Sequence, residues 1–215
     1  MPPYCLAMPS FAAVERDRLA DTALAAGATA PTLCGDWTVL DLMAHLVVRE
    51  GDPLGAPGIL VPALEFLTDR AMKRATRDGL ATLVERFRTP GMFSPFRIAA
   101  VDKQANTLEF FVHHEDIRRA GAAWEPRELT EREQNTLWRA VATPGKGLVR
   151  PAGVPVELRW GEHTRTLRGG AEPVVVTGEP AELVLFLFGR AQHRDLVFEG
   201  PDDSVAQLKD AKLGL

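Results

Sequence analysis

The sequence predicts a mainly α-helical protein with a small α/β portion at its C-terminal end. Through about the first 145 residues, apolar positions recur every three or four residues, which is the spacing of amphipathic helices. A stretch rich in glycine and proline, TPGKGLVRPAG, begins near Pro144 and reads as a linker. Beyond it the pattern changes to alternation, as in VPVELRW, which is typical of strands. We therefore expect two domains, residues 1–145 and residues 146–215.

Helices account for the first domain. The first is expected from about Phe11 to Ala26, with Gly27 as its C-cap. Thr38, followed three residues later by Asp41, forms a pattern like a capping box and predicts a helix to about Glu50. The same periodicity predicts four more helices, at about 60–76, 80–88, 99–120 and 130–142. The intervening stretches GDPLGAPG and TPGMFSP contain helix breakers and are expected to be loops.

The second domain is expected to mix strands and helices. VPVELRW and TRTLR flank the short turn GEH, and together they predict a β-hairpin. Val174 to Thr177 is a short β-branched run, and LVFEG further on has the character of a strand. The intervening segment PAELVLFLFGR is apolar on all sides and predicts a buried helix. A last helix is expected from Asp202 to Lys212.

Composition excludes several classes of function. The net charge is −4 and no basic stripe is present, so the sequence shows no electrostatic footprint for nucleic acid. No apolar run approaches the roughly 20 residues that cross a bilayer. The N-terminal segment has no cationic stretch followed by an apolar block, so we expect a cytoplasmic protein without a secretory signal. Cys5 and Cys34 are too few for a disulfide framework and are expected to be free thiols.

Three side chains in two separate segments suggest a metal site. WTVLDLMAHL contains His45, and LEFFVHHED contains Glu109 and His113. Glu109 and His113 are four residues apart and therefore project from one face of a helix. An imidazole from another helix would complete a set of two histidines and one carboxylate, which suits a divalent metal with an open position. The alternative interpretation is a hydrogen-bonded structural histidine beside an ordinary helical Glu–His pair.

Other residues near these motifs have open roles. Asp116 could orient His113 or a metal-bound water, or it could face solvent beside Arg118 or Arg119. His114 fits neither the spacing nor the helix face of a ligand, and Cys34 could be a small packed side chain or a reactive thiol. Arg190 could bind a substrate carboxylate through its planar guanidinium, or it could form a surface ion pair.

The segments TLCGDWTVLDLMAHL and LEFFVHHEDIRRA resemble the N-terminal metal-binding domain of the mycothiol-dependent maleylpyruvate isomerase group. That group belongs to the DinB-like superfamily of four-helix bundles. The segment VVVTGEPAELVLFLFGRA resembles the group's second domain, a small α/β fold akin to sterol carrier proteins. The positions that match the group's N-terminal pattern are Trp37, Thr38, Val39, His45, Glu109, His113 and Asp116.

This resemblance implies a divalent metal, zinc above all, held by His45, Glu109 and His113 with water in the remaining position. It also implies mycothiol as a small-thiol co-substrate, a small electrophile as substrate, and a basic residue of the second domain, matched here by Arg190, that reaches the active cleft. The leading hypothesis is therefore a thiol-dependent isomerase or S-transferase in which the metal stabilises the thiolate. Two alternatives stay open, a metal-dependent hydrolase and a noncatalytic protein that binds a metal or a small ligand.

Overall fold

The computed structural model of the chain describes residues 9–52, 64–91 and 98–214. Its contacts divide it into two compact units, Met1–Trp124 and Glu125–Leu215. The division falls before the helix that follows Thr130, and not at residue 145 as the linker suggested. The reason is that this helix packs within the second unit, where the side-chain amide oxygen of Gln134 accepts a hydrogen bond from the backbone N–H of Ala181 at 3.0 Å.

The described part of the N-terminal unit is helical. This unit contains α1 (Phe11–Ala26), α2 (Val39–Gly51), α3 (Glu65–Ala75), α4 (Gly79–Arg88) and α5 (Ala99–Arg118), with a 3₁₀ turn at Thr76–Asp78. The predicted helix at 99–120 ends at Arg118, and α3 is the helix found in the described part of the predicted 60–76 segment. The expected loops GDPLGAPG and TPGMFSP lie largely outside the described residues.

Local sequence explains how α1 and α2 begin and end. Ser10 and Thr38 are the N-caps, and Thr38 forms a full capping box with Asp41 as predicted. Gly27 ends α1 with φ +88°, a backbone conformation that favours glycine. The inward faces of α1, α2 and α4 form the apolar core with Phe110 of α5, and its largest members include Leu19, Leu42, Met43, Leu46, Leu83 and Phe87.

Helix α5 buries polar as well as apolar side chains. Ala105 is exposed, whereas Asn106 and Phe110 are fully buried. Polar residues Glu115 and Asp116 are also buried. The cause is tertiary packing, because α1 lies along one side of α5 and the chain around Leu33 contacts another. A buried helix of this kind has to satisfy its polar groups internally.

The C-terminal unit combines a four-stranded sheet with helices. Its strands are β1 (Val156–Trp160), β2 (His163–Arg168), β3 (Val174–Thr177) and β4 (Val197–Glu199), in the order β2-β1-β3-β4. β1 pairs with β2 in the predicted antiparallel hairpin, β1 pairs with β3 in parallel, and β4 pairs with β3 antiparallel. Its helices are α6 (Glu131–Ala140), α7 (Pro144–Leu148), α8 (Pro180–Leu187) and α9 (Asp202–Asp210).

The stretch after Pro144 is not a simple linker. It forms α7 and a 3₁₀ turn at Arg150–Ala152, because proline is tolerated in the first turn of a helix. α8 is buried along its whole length, as its uniformly apolar sequence predicted. None of the helices in the described ranges combines the length and apolar character needed to cross a membrane.

Candidate metal centre

Helices α2 and α5 bring together the three side chains that the sequence singled out. Nε2 of His113 lies 3.2 Å from Oε1 of Glu109, and Nε2 of His45 lies 3.5 Å from the same oxygen. One donor atom from each of the three residues lies within 4.8 Å of the other two. The side chains are only 10 to 20% exposed, which gives a site that is enclosed yet reachable from solvent.

Asp116 contacts the far side of the His113 ring. It is fully buried, and its Oδ2 accepts a hydrogen bond from Nδ1 of His113 at 2.9 Å. The thiol of Cys34 donates to the same oxygen at 3.0 Å, and Sγ lies 3.7 Å from Nδ1 of His113. The alternative in which Asp116 faces solvent therefore does not describe the structure. With Nδ1 bound to Asp116, Nε2 is the ring nitrogen that faces Glu109, and it can bind a metal only after it loses the proton that it shares with that carboxylate.

The charges of Glu109, His113 and His45 influence one another strongly. Burial by itself raises the pKa of Glu109, but hydrogen bonds to His113 and His45 hold that pKa well below its usual value. Burial by itself lowers the pKa of His113, but the hydrogen bond to Asp116, together with Cys34 and Glu109, raises it well above 6.5. Burial lowers the pKa of His45. Glu109 is thus an anion, and a proton on His113 partly neutralises it.

Sequence reasoning missed Arg49. Its Nε lies 3.4 Å from Oε1 of Glu109, and its side chain is 18% exposed. Nη1 of Arg49 donates to the amide oxygen of Asn106 at 2.6 Å, and Nη2 donates to the backbone oxygen of Ala105 at 3.1 Å. The available signal was spacing, because Arg49 follows His45 by four residues and so shares its helix face.

Two nearby residues have structural roles in the described chain. The ring of Trp37, just before α2, packs against the ring of His45 with centroids 5.1 Å apart. His114 is buried on the other side of α5, where Nδ1 donates to Glu15 at 3.0 Å and Nε2 contacts the hydroxyl of Thr22 at 2.9 Å. Both of its ring nitrogens are therefore occupied away from the site, in line with its exclusion as a ligand.

Arg190 lies in the C-terminal unit, beside a cavity of about 440 Å³. Its Nη1 donates to the backbone oxygen of Phe188 at 2.7 Å. Phe186 and Phe198, whose ring centroids are 5.2 Å apart, contribute to the lining of the cavity together with His193 and Lys209. An apolar cavity with basic groups around it suits a small molecule that carries a negative charge.

Two imidazole nitrogens and one carboxylate oxygen are a donor set that suits Zn²⁺ and similar divalent metals. A second possible grouping contains Cys34, His113 and Asp116. In that grouping Nδ1 of His113 and the thiol of Cys34 are already engaged with Asp116. The first grouping keeps Nε2 of each histidine directed at Glu109 and matches the arrangement in which a buried carboxylate supports a metal-binding histidine.

The fold is similar to that of a known enzyme. The crystal structure of the mycothiol-dependent maleylpyruvate isomerase aligns with 89% of this chain and 93% of its own, with a TM-score of 0.51 and 17% sequence identity. At this identity the likeness establishes the fold, a helical N-terminal unit with a small mixed sheet after it. No protein-family model matches the sequence, and no curated protein matches it either.

Proposed function

We propose that this protein binds a divalent metal, zinc above all, and uses it with a small thiol such as mycothiol in an isomerisation or S-transfer reaction. The observation that carries the proposal is the convergence of donor atoms from His45, Glu109 and His113 within 4.8 Å of one another. The likeness of fold to a mycothiol-dependent isomerase supports the choice of thiol chemistry. The proposal includes a DinB-like four-helix bundle as the N-terminal domain and a sterol-carrier-like second domain.

The residues fit the metal. Glu109 is ionised, and its Oε1 lies close to Nε2 of both histidines before any metal binds. Small adjustments would bring three donors to the distances of about 2.0–2.2 Å that Zn²⁺ requires, with a position left for an exogenous ligand. A metal held there would lower the pKa of a bound thiol and so would supply a thiolate at neutral pH.

The surrounding residues support this chemistry without contacting the reacting atoms. Asp116 holds the Nδ1 proton of His113, which fixes the ring orientation and leaves Nε2 as the ligand atom. Cys34 donates to Asp116 and limits the movement of that carboxylate. The ring of Trp37 packs on His45 and restricts its rotation.

Arg190 is proposed to bind the carboxylate of the electrophilic substrate. Its hydrogen bond to the Phe188 carbonyl fixes one edge of the guanidinium beside the cavity described above. A planar guanidinium recognises a carboxylate through paired N–H donors. Replacement by lysine would keep the charge but remove the paired N–H donors. Arg190→Lys therefore tests whether these paired donors lower the KM for the substrate.

Metal analysis of the protein purified without a histidine tag tests the proposal directly. We expect one divalent ion per chain, and we expect His45→Ala to remove both the ion and the binding of mycothiol measured by calorimetry. A protein without stoichiometric metal would refute the proposal. Metal without thiol binding would instead favour the hydrolase or the noncatalytic binding protein.

A further inference from the structure

A fixed positive charge lies at the edge of the metal centre. Nε of Arg49 is 3.4 Å from Oε1 of Glu109, the same oxygen that faces Nε2 of His45 and of His113. A divalent cation bound by these donors therefore shares its only carboxylate ligand with a guanidinium. Arginine stays protonated at any accessible pH, so this charge does not disappear when the cation arrives.

The surrounding helix holds the guanidinium in place. Asn106 and the carbonyl of Ala105 accept hydrogen bonds from Nη1 and Nη2 of Arg49 at 2.6 and 3.1 Å. Asn106 is fully buried, and its amide nitrogen donates to Glu50 at 2.6 Å and to Asp102 at 2.9 Å. Arg49 therefore has its position set by a buried network and cannot leave Glu109 without breaking these bonds.

The acidic groups behind Asn106 have their own cation. Arg16 is buried and forms ion pairs with both Glu50 and Asp102, and its Nη1 also donates to the Phe87 carbonyl at 2.7 Å. Arg16 therefore partly neutralises the charges of Glu50 and Asp102. The guanidinium that contacts Glu109 is that of Arg49.

We infer that Arg49 is a specificity-determining residue that disfavours a bare divalent cation in the site and favours a cation that carries an anionic ligand. The inference rests on the proposed function and defines the class of molecule that the metal accepts, a thiolate or a carboxylate in preference to a neutral ligand. The physical reason is that the guanidinium repels the metal but attracts an anion in the adjacent open position, in a partly buried site where water screens both effects weakly.

The test compares a charged and a neutral ligand on the Co²⁺-loaded protein. Azide and imidazole are titrated separately, at a pH where imidazole is neutral, and binding is followed by the visible absorption of Co²⁺. In Arg49→Gln we expect the Kd for azide to rise by about tenfold or more, since a nearby full charge is removed, while the Kd for imidazole is unchanged. Competition with a chelator should show that the same variant binds Zn²⁺ more tightly than the wild-type protein.

Two further variants complete the design. Arg49→Lys keeps the charge and should retain most of the azide preference, which separates electrostatics from shape. Thr107→Val is the matched control, because Thr107 is buried next to Asn106 but, within the described residues, its hydroxyl donates only to the carbonyl of Lys103 in its own helix. This control should leave azide, imidazole and Zn²⁺ binding unchanged.

The outcomes are distinct. Equal azide affinity in the wild-type protein and Arg49→Gln overturns this inference alone and leaves the metal site intact. Equal losses of azide and imidazole affinity also overturn it, because they indicate a damaged site and no selection by charge. If Arg49→Gln does not fold, Arg49→Met tests the same loss of charge with an apolar side chain; it should weaken azide binding only, and unchanged azide affinity overturns the inference. Absence of bound Co²⁺ in the wild-type protein overturns the proposed function and this inference with it.

Discussion

Nδ1 of His113 donates a hydrogen bond to Oδ2 of the fully buried Asp116 at 2.9 Å, and this contact leaves Nε2 as the ring nitrogen for the metal that we propose. The two residues are one helical turn apart on α5, so the helix itself sets their separation. Support of a metal-binding histidine by a buried carboxylate is frequent in metalloproteins, and it raises the basicity of the other nitrogen. Asp116 therefore acts on the site through His113.

Asp116→Asn should weaken metal binding without unfolding the protein. The substitution keeps the size of the side chain but removes the charge that fixes the Nδ1 proton of His113. Loss of such a supporting group costs about 10- to 100-fold in metal affinity. Chelator competition measures the change, and circular dichroism checks the fold. Unchanged affinity would show that Asp116 serves only the packing of Cys34 and α5.

Metal affinity should fall as the pH is lowered. The pKa of His113 is higher in the folded protein than its unfolded-state value of about 6.5, so the proton on His113 stabilises the fold. This stabilisation is complete below the unfolded-state pKa and is lost as the pH rises through the raised pKa. The metal has to displace that proton, so binding strengthens with rising pH and levels off above the pKa of His113. His45 has a lowered pKa and competes little.

Calorimetry of Zn²⁺ binding in buffers of different ionisation enthalpy measures the released proton directly. The number of protons released per Zn²⁺ should be greatest below the pKa of His113 and should decline above it. An affinity that does not change with pH through this range would contradict the assignment of His113 as a ligand.

Cys34→Ala should retain stoichiometric zinc. The thiol lies on the Nδ1 side of His113 and bonds to Asp116, whereas His45 and Glu109 lie on the Nε2 side. We expect the zinc affinity to fall slightly, because Asp116 loses its hydrogen bond from the thiol and is less restrained. The protein should still bind one zinc ion. Complete loss of metal in Cys34→Ala, with full retention in His45→Ala, would instead select the grouping of Cys34, His113 and Asp116.

His114→Leu should reduce stability and leave metal binding intact. The imidazole bonds to buried Glu15 and to Thr22, far from the ligand face of α5. Its removal leaves a buried carboxylate with fewer partners, which costs about 1–3 kcal/mol. Thermal unfolding gives the stability, and metal analysis of the same preparation should match the wild-type protein. Loss of the metal with a stable fold would identify His114 as a ligand.

Arg16→Met should destabilise the N-terminal unit strongly. Arg16 is buried and pairs with Glu50 and Asp102, and its removal leaves both carboxylates without their cation. Breaking a buried pair in this way costs about 3–5 kcal/mol. Arg86 is half exposed and pairs only with Asp78 in the described structure, so Arg86→Met is a suitable control with a change of less than about 0.5 kcal/mol. Similar urea denaturation midpoints for the two variants would refute the structural role of Arg16.

Local patterns in the sequence predicted most of the elements. Helix periodicity located α1, α2 and α5, and the capping box at Thr38 placed the start of α2 within one residue. Alternation predicted the β1–β2 hairpin. The boundary between the units could not be predicted from local sequence, because it depends on where α6 packs. Apolar spacing within α6 does not specify the element against which it packs. The glycines after Pro144 indicated a linker although the chain forms a short helix there.

The candidate ligands His45, Glu109 and His113 were selected by sequence alone, from the spacing of Glu109 and His113 and from the pattern that led to His45. Only the tertiary structure decided how charges surround them. It buried Asp116 against Cys34, directed His114 to Glu15 and placed Arg49 beside Glu109. The physical reason is that helix periodicity defines which side chains share a face, whereas the neighbours of that face come from distant parts of the chain.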